Sequence, residues 1–292
     1  MSDSTSHSDP GASRSDAPLA VVHTVVYTTV TNRVATVVIN RPEARNALNA
    51  EVRASLPAAL AAADADPGVD VIILTGTDPA FTAGLDLKEL GGGGNQISLS
   101  KHDQPPPPTR PFPELSKPLI GAVNGVAITG GFELALNCDL LIASERASFA
   151  DTHARVGVMP GWGLTVLLAD VVGVRRAREI SLTGNFVSAG QALEWGLVNH
   201  VVPHAELLAF AQRLAEDISG NDQRGVRQLL RTYKQVAGAS VDDGWQIEAT
   251  QGWTFERDRA FDPAEVEARR AAIMERGRDQ TRSSGAPPPS AS

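Results

Sequence analysis

The chain has 292 residues, with 26 Lys and Arg against 34 Asp and Glu, a formal net charge of −8. It has no long basic run, which counts against nucleic acid as a partner, because phosphate binding needs concentrated positive charge. Hydrophobic residues make up 42% and charged residues 21%, a globular profile, and no stretch nears the ~18 apolar residues of a membrane span. A single cysteine, Cys138, allows no intrachain disulfide and points to a reducing, cytoplasmic compartment.

In chain order, residues 1–18 lack the apolar core of a signal peptide and read as a disordered tail, as do residues 281–292. Residues 19–39, rich in Val and Thr around the polar break Thr31-Asn32-Arg33, predict a β-hairpin. Asn49 is placed to cap an Ala-rich helix running to about residue 64, with Pro57 inside it expected to kink it or force an earlier start. VDVIIL (69–74) reads as a buried strand, so strand, helix and strand suggest a crossover unit. Gly and Pro runs at 91–94 and 105–108 bracket a low-complexity loop.

Residues 119–124 predict another short strand, and Gly130 opens a helix ending near Asn137. Short strands follow at 140–143 and 148–150, helices at 164–172, 175–182 and 188–195, and a strand at 197–202. From 205 to 278 the pattern is helical, with breaks at 219–221, Gly238 and Asp262-Pro263. The expected organisation is an α/β core over 19–203 and a helical segment over 204–280.

FTAGLDLKEL (81–90) and NGVAITGGFELALNCDL (124–140) each set glycine beside apolar residues ahead of a helix. The first N–H groups of a helix have no internal acceptor and carry positive partial charge. Glycine there lets another group approach the backbone closely. Two such N–H groups converging on one point make an oxyanion hole; two ordinary glycine turns are the alternative.

The ordered set RPEARNALN, FTAGLDLKEL, NGVAITGGFELALNCDLLIAS and FADTHARVGVMPGWG resembles the crotonase family, the enoyl-CoA hydratase/isomerase group. The likeness runs from about residue 22 to 202 and continues more weakly through the C-terminal helices. It implies a spiral of β-β-α turns with C-terminal helices that form a homotrimer, often stacked as a hexamer, and an acyl-coenzyme A thioester as substrate. No cofactor beyond that coenzyme A is implied. By position in the motifs, the N–H groups of Leu85 and Gly130 would hold the thioester oxygen. Ala83, Gly84, Asp86, Leu87 and Gly131 would line the ligand, with Arg45 and Ala47 of the RNALN loop.

Glu133 lies three residues beyond Gly130, a spacing that brings its side chain to the face of the glycine N–H. It reads either as the base holding a water or as a carboxylate favourable near a helix N-terminus. Family hydratases generally carry a second Glu where this chain has His153. Imidazole exchanges protons near neutral pH, so His153 partners Glu133 or only orients a ligand; Asp151 orients the ring if both share a face. Trp162 walls the acyl pocket or packs a loop. No metal-ligand spacing is present. In the helix 262–278, Arg270 and Arg278 are candidates for the coenzyme's phosphates or for a solvated face.

The expectation is an enoyl-CoA hydratase of the lyase class. The alternatives are an enoyl-CoA isomerase or another enolate-forming reaction, and a non-catalytic acyl-CoA binder.

Overall fold

The computed structural model describes residues 25–91, 109–259 and 263–283. The N-terminal tail, residues 19–24 of the expected hairpin, most of the Gly/Pro-rich loop and residues 284–292 lie outside them. The chain forms two compact units, Met1–Arg227 and Gln228–Ser292.

β1 (Val26–Thr31) and β2 (Val34–Ile39) pair antiparallel. Their turn residues Asn32 and Arg33 both have positive φ, 49° and 64°, the turn hand that matches strand twist. α1 (Ala50–Ala65) starts at Asn49, whose side chain accepts the Val52 N–H at 2.9 Å. It runs through Pro57 and buries Val52, Leu56, Leu60 and Ala63, a stripe of helical period.

The next three turns repeat one pattern. β3 (Val71–Gly76), β4 (Ala80–Thr82) and α2 (Leu87–Gly91) form the first. β5 (Leu119–Val123), β6 (Val126–Ile128) and α3 (Gly130–Leu136) form the second. β7 (Leu140–Ser144), β8 (Ser148–Ala150) and α4 (His153–Val156) form the third. After them come α5 (Leu164–Val172), α6 (Val174–Thr183), β9 (Val187–Ser188), α7 (Ala189–Glu194) and β10 (His200–Val202). The remaining helices are α8 (Leu207–Ser219), α9 (Gln223–Val236), α10 (Val241–Arg259) and α11 (Pro263–Ser283).

The first strand of each turn joins a six-stranded sheet, β1-β2-β3-β5-β7-β10, and the second joins a four-stranded sheet, β4-β6-β8-β9. Successive turns therefore stack in parallel, as the expected spiral requires. β4, β6 and β9, of two or three residues, show too little strand period and escape the sequence reading, whereas β8, no longer than β4 or β6, falls on the strand expected at 148–150. Ile39, Leu74 and Val123 of the first sheet, Phe81 and Phe149 of the second and Phe132 of α3 belong to one buried core cluster.

The other face of the six-stranded sheet presents Val34, Val71, Ile73, Ile120 and Ile142, which Leu207, Ala211 and Ala215 of α8 cover. A boundary near residue 203 would strip this helix from its sheet; the first unit runs instead to Arg227. The correction has a plain cause: helical periodicity does not say which surface a helix covers. In the second unit Gln228 of α9 donates to Gln251 of α10 at 2.6 Å, while Leu229, Tyr233, Trp245 and Trp253 are exposed. No helix among the described residues is long and apolar enough to cross a membrane.

Candidate active site

The two glycine turns meet where the parallel neighbours β4 and β6 end. Gly84 has φ +86°, and a Cβ there would stand 2.5 Å from the Ile128 carbonyl oxygen and 3.4 Å from the Gly130 nitrogen. A Cβ on Gly131 would stand 2.5 Å from the Thr82 carbonyl oxygen. Side chains at these positions would wedge the turns apart, so glycine is what lets them touch.

The RNALN loop holds the first turn from outside. Ala83 N–H donates to the Arg45 carbonyl at 3.0 Å, and Leu48 N–H donates to the Gly84 carbonyl at 2.8 Å. The bridge between Leu48 and Leu85 uses the Gly84 carbonyl and the Asp86 N–H. The Leu85 N–H therefore has no backbone acceptor among the described residues. Nor has the N–H of Gly130, the first residue of α3. The site thus offers two main-chain donors in adjacent turns, with Leu85 Cγ 3.8 Å from where a Gly130 Cβ would sit.

Thr129 enters α3 with φ 53° and ψ −110°, a sparsely populated conformation of the kind that concentrates at functional sites. Its N–H donates to the Ala150 carbonyl at 2.8 Å, and its hydroxyl pairs with that of Thr152 at 2.5 Å. These bonds tie the start of α3 to the end of β8.

Glu133 is 3% exposed. Its Oε1 accepts the N–H groups of Gly161, at 3.2 Å, and Trp162, at 2.6 Å. Asn137, at the end of α3, fixes that loop by donating to the Trp162 carbonyl at 2.9 Å and to the Glu133 carbonyl at 2.8 Å. The Trp162 ring packs toward Gly130, its Cζ3 3.4 Å from where a Cβ would be.

The second Glu133 oxygen, Oε2, lies 3.6 Å from His153 Nε2. On the ring's other side, Nδ1 lies 2.6 Å from Asp151 Oδ1, which also accepts the His153 main-chain N–H at 3.1 Å. Asp151 and His153 are 2% and 4% exposed. Burial alone would lower the imidazole pKa, but the Asp151 bond, then Glu133 and the charges of both carboxylates, raise it to about 9. Burial would raise the Asp151 carboxyl; bonds from His153 and Ser181 outweigh it and hold the carboxyl below its ordinary range.

The other candidates are scattered. Arg45 is exposed with φ 50°, and Ala47 is buried with its carbonyl taken by Arg41 Nη1 at 2.6 Å. The Asp86 side chain is engaged by Arg41 at 3.2 Å and by the Lys88 N–H at 3.1 Å, so it serves the loop and α2. Leu87 is exposed at the start of α2. Arg270 faces Glu267 of its own helix at 3.3 Å. The amides of Gly161 and Trp162 and the clamp by Asn137 escape the sequence reading, since no local pattern joins residues 28 or 29 positions apart. Among the described residues no group of three His, Cys, Asp or Glu is arranged for a metal ion.

A family model described as enoyl-CoA hydratase/isomerase matches residues 29–258. A protein of Arabidopsis thaliana named probable enoyl-CoA hydratase 1, peroxisomal, is 40% identical over 230 residues, spanning 78% of this chain and 82% of its own. The crystal structure of an enoyl-CoA hydratase from Mycobacterium tuberculosis H37Rv superposes with TM-score 0.67 at 48% identity, covering 80% of this chain and 99% of that one. One from Bacillus anthracis superposes with TM-score 0.75 at 30% identity, covering 86% and 96%.

Proposed function

The chain belongs to the enoyl-CoA hydratase/isomerase family, and from that premise we propose that it adds water across the double bond of a trans-2-enoyl-CoA thioester. The N–H groups of Leu85 and Gly130 receive the thioester oxygen. As water attacks the β-carbon, enolate charge gathers on that oxygen, and fixed donors stabilise it more than they stabilise the ground state. One such donor is worth about 10²–10³ in rate. Glu133 takes the proton of the attacking water, and His153 is the second acid–base group.

The observation that carries this reading is the buried pair of Glu133 and His153, 3.6 Å apart, on the helix that Gly130 opens and the helix that His153 opens. A carboxylate serving only as a helix cap has no need of an imidazole in front of it. Trp162, beside Gly130, walls the acyl end. Arg45, Ala47, Ala83 and Leu87 are assigned to the coenzyme end, with Asp86 contributing main chain because its carboxylate is already engaged.

The substrate brings its own coenzyme A, and the proposal calls on no other cofactor. The exposed Leu229, Tyr233, Trp245 and Trp253 favour a homotrimer or a hexamer of trimers. The lone cysteine favours the cytoplasm.

Adding crotonyl-CoA to the protein should remove the enoyl-thioester absorbance and yield a product heavier by one water. Tight binding of enoyl-CoA of every chain length without turnover would overturn the hydratase reading in favour of a binder. Conversion of a 3-enoyl-CoA to its 2-enoyl isomer without hydration would overturn it in favour of an isomerase.

A further inference from the structure

We propose that Asp151 is a positioning residue that makes His153 the proton donor of the site, by taking the ring's Nδ1–H and so presenting Nε2–H to the substrate carbon opposite Glu133. The inference rests on the hydratase reading and divides the labour within it.

One carboxylate oxygen, Asp151 Oδ1, accepts both the ring Nδ1–H at 2.6 Å and the main-chain N–H of His153 at 3.1 Å. A side chain anchored to its own backbone through a shared acceptor has little torsional freedom left. The carboxylate accepts only, so the proton sits on Nδ1 and the tautomer is fixed. Nε2 is thereby aimed at Glu133, 3.6 Å away. That distance is too long for a direct bond, so the Nε2–H is not consumed by its neighbour. Glu133 is immobilised independently by the Gly161 and Trp162 amides.

The charged groups facing the ring are Asp151 from the β8–α4 connection and Glu133 from α3. From α6 comes the neutral Ser181, which bonds to Asp151. Arg155, also in α4, turns away to the Thr183 carbonyl at 3.0 Å. A cationic ring between two carboxylates agrees with its proton affinity being raised to about 9.

The step balances within the site. The water O–H bond breaks toward Glu133 Oε2 as the oxygen bonds to the β-carbon. The displaced π electrons become the enolate under the two N–H groups. The enolate collapses by taking the Nε2 proton onto the α-carbon, leaving a neutral imidazole. The proton on Glu133 then passes to Nε2, restoring the starting charges.

Asp151→Asn tests the proposal, because Asn keeps the acceptor oxygen and removes the charge. The expected result is a kcat lower by about 10²-fold with KM within about threefold. The alkaline limb of kcat should move from about 9 toward roughly 6.5, the ordinary imidazole value. NMR titration of the His153 ring in the ligand-free proteins should show the same displacement. Should Asp151→Asn fail to fold, Ser181→Ala should give a smaller loss in the same direction. An active wild type whose folded Asp151→Asn variant keeps both kcat and alkaline limb overturns this inference alone. A wild-type ring that titrates near 9 in a protein that hydrates no enoyl-CoA overturns the hydratase reading, and the donor role with it.

Discussion

Oε2 of Glu133 stands 3.6 Å from Nε2 of His153, a separation at which one water can touch both. The other Glu133 oxygen is held by the Gly161 and Trp162 amides, so Oε2 is the one left to work. Glu133→Gln keeps the size and loses the base. Hydration of crotonyl-CoA should fall by about 10²–10⁴-fold, with thioester affinity changed only a few-fold and the fold retained. Water addition persisting near the wild-type rate would place the base elsewhere.

The contact between the two turns depends on Gly84. Gly84→Ala meets the Ile128 carbonyl at 2.5 Å in addition to its unfavourable φ of +86°. Gly157 has a similar φ, +80°, but nothing within 4 Å of a new Cβ. Gly157→Ala should therefore cost only the conformational strain, about 1–2 kcal/mol. Gly84→Ala should cost more and lower kcat as well, because it separates the Leu85 and Gly130 donors. Equal denaturant midpoints for the two variants would show that close approach is not what Gly84 provides.

The Asp151–His153 pair ties stability to pH with a definite sign. The folded imidazole binds its proton more tightly than the unfolded one, so its contribution is complete below the ordinary value of roughly 6.5. It is lost as pH rises through about 9. Urea midpoints of the wild type and His153→Gln should differ most near about pH 6 and converge near about pH 10. At the acid end the Asp151 carboxyl, held below its ordinary range, gives its contribution above that range and loses it as pH falls through the lowered value. A gap that widens with rising pH would reverse this assignment.

Asn137 touches no catalytic side chain, yet it closes the loop that orients Glu133, bonding both the Trp162 and Glu133 carbonyls. Asn137→Ala should destabilise the protein by about 1–3 kcal/mol, the cost of leaving such groups unpaired. It should lower kcat by about tenfold through misplacement of the carboxylate, with KM little changed. Loss of stability with full kcat would make Asn137 a fold residue only.

Much of this was readable from residues close together in the chain. Asn49 before an Ala-rich stretch, Asn32-Arg33 between Val-rich strands and Gly130 ahead of an apolar run are decided within a few residues. The helix at α5 and the burial of β3 and β5 follow from local periodicity in the same way. β4, β6 and β9 did not, since strands this short carry little period of their own and lean on their neighbours, although β8, equally short, was legible at 148–150. The unit boundary at Arg227 depends on α8 finding the free face of the six-stranded sheet.

The candidate site divides along the same line. Its chemical groups, Glu133 one turn past Gly130 and His153 in FADTHARV, stand in the sequence, as do the glycines that clear the way. Which atom of each group is free to react does not. The 2.6 Å bond from Asp151 to the ring, the two amides on one Glu133 oxygen and the 3.6 Å left on the other arise only when separate turns of the spiral stack. Residue type and short spacing set what a side chain can do; proton direction and proton affinity are set by partners brought near in space, because hydrogen bonds and charge interactions depend on distance and are indifferent to position along the chain.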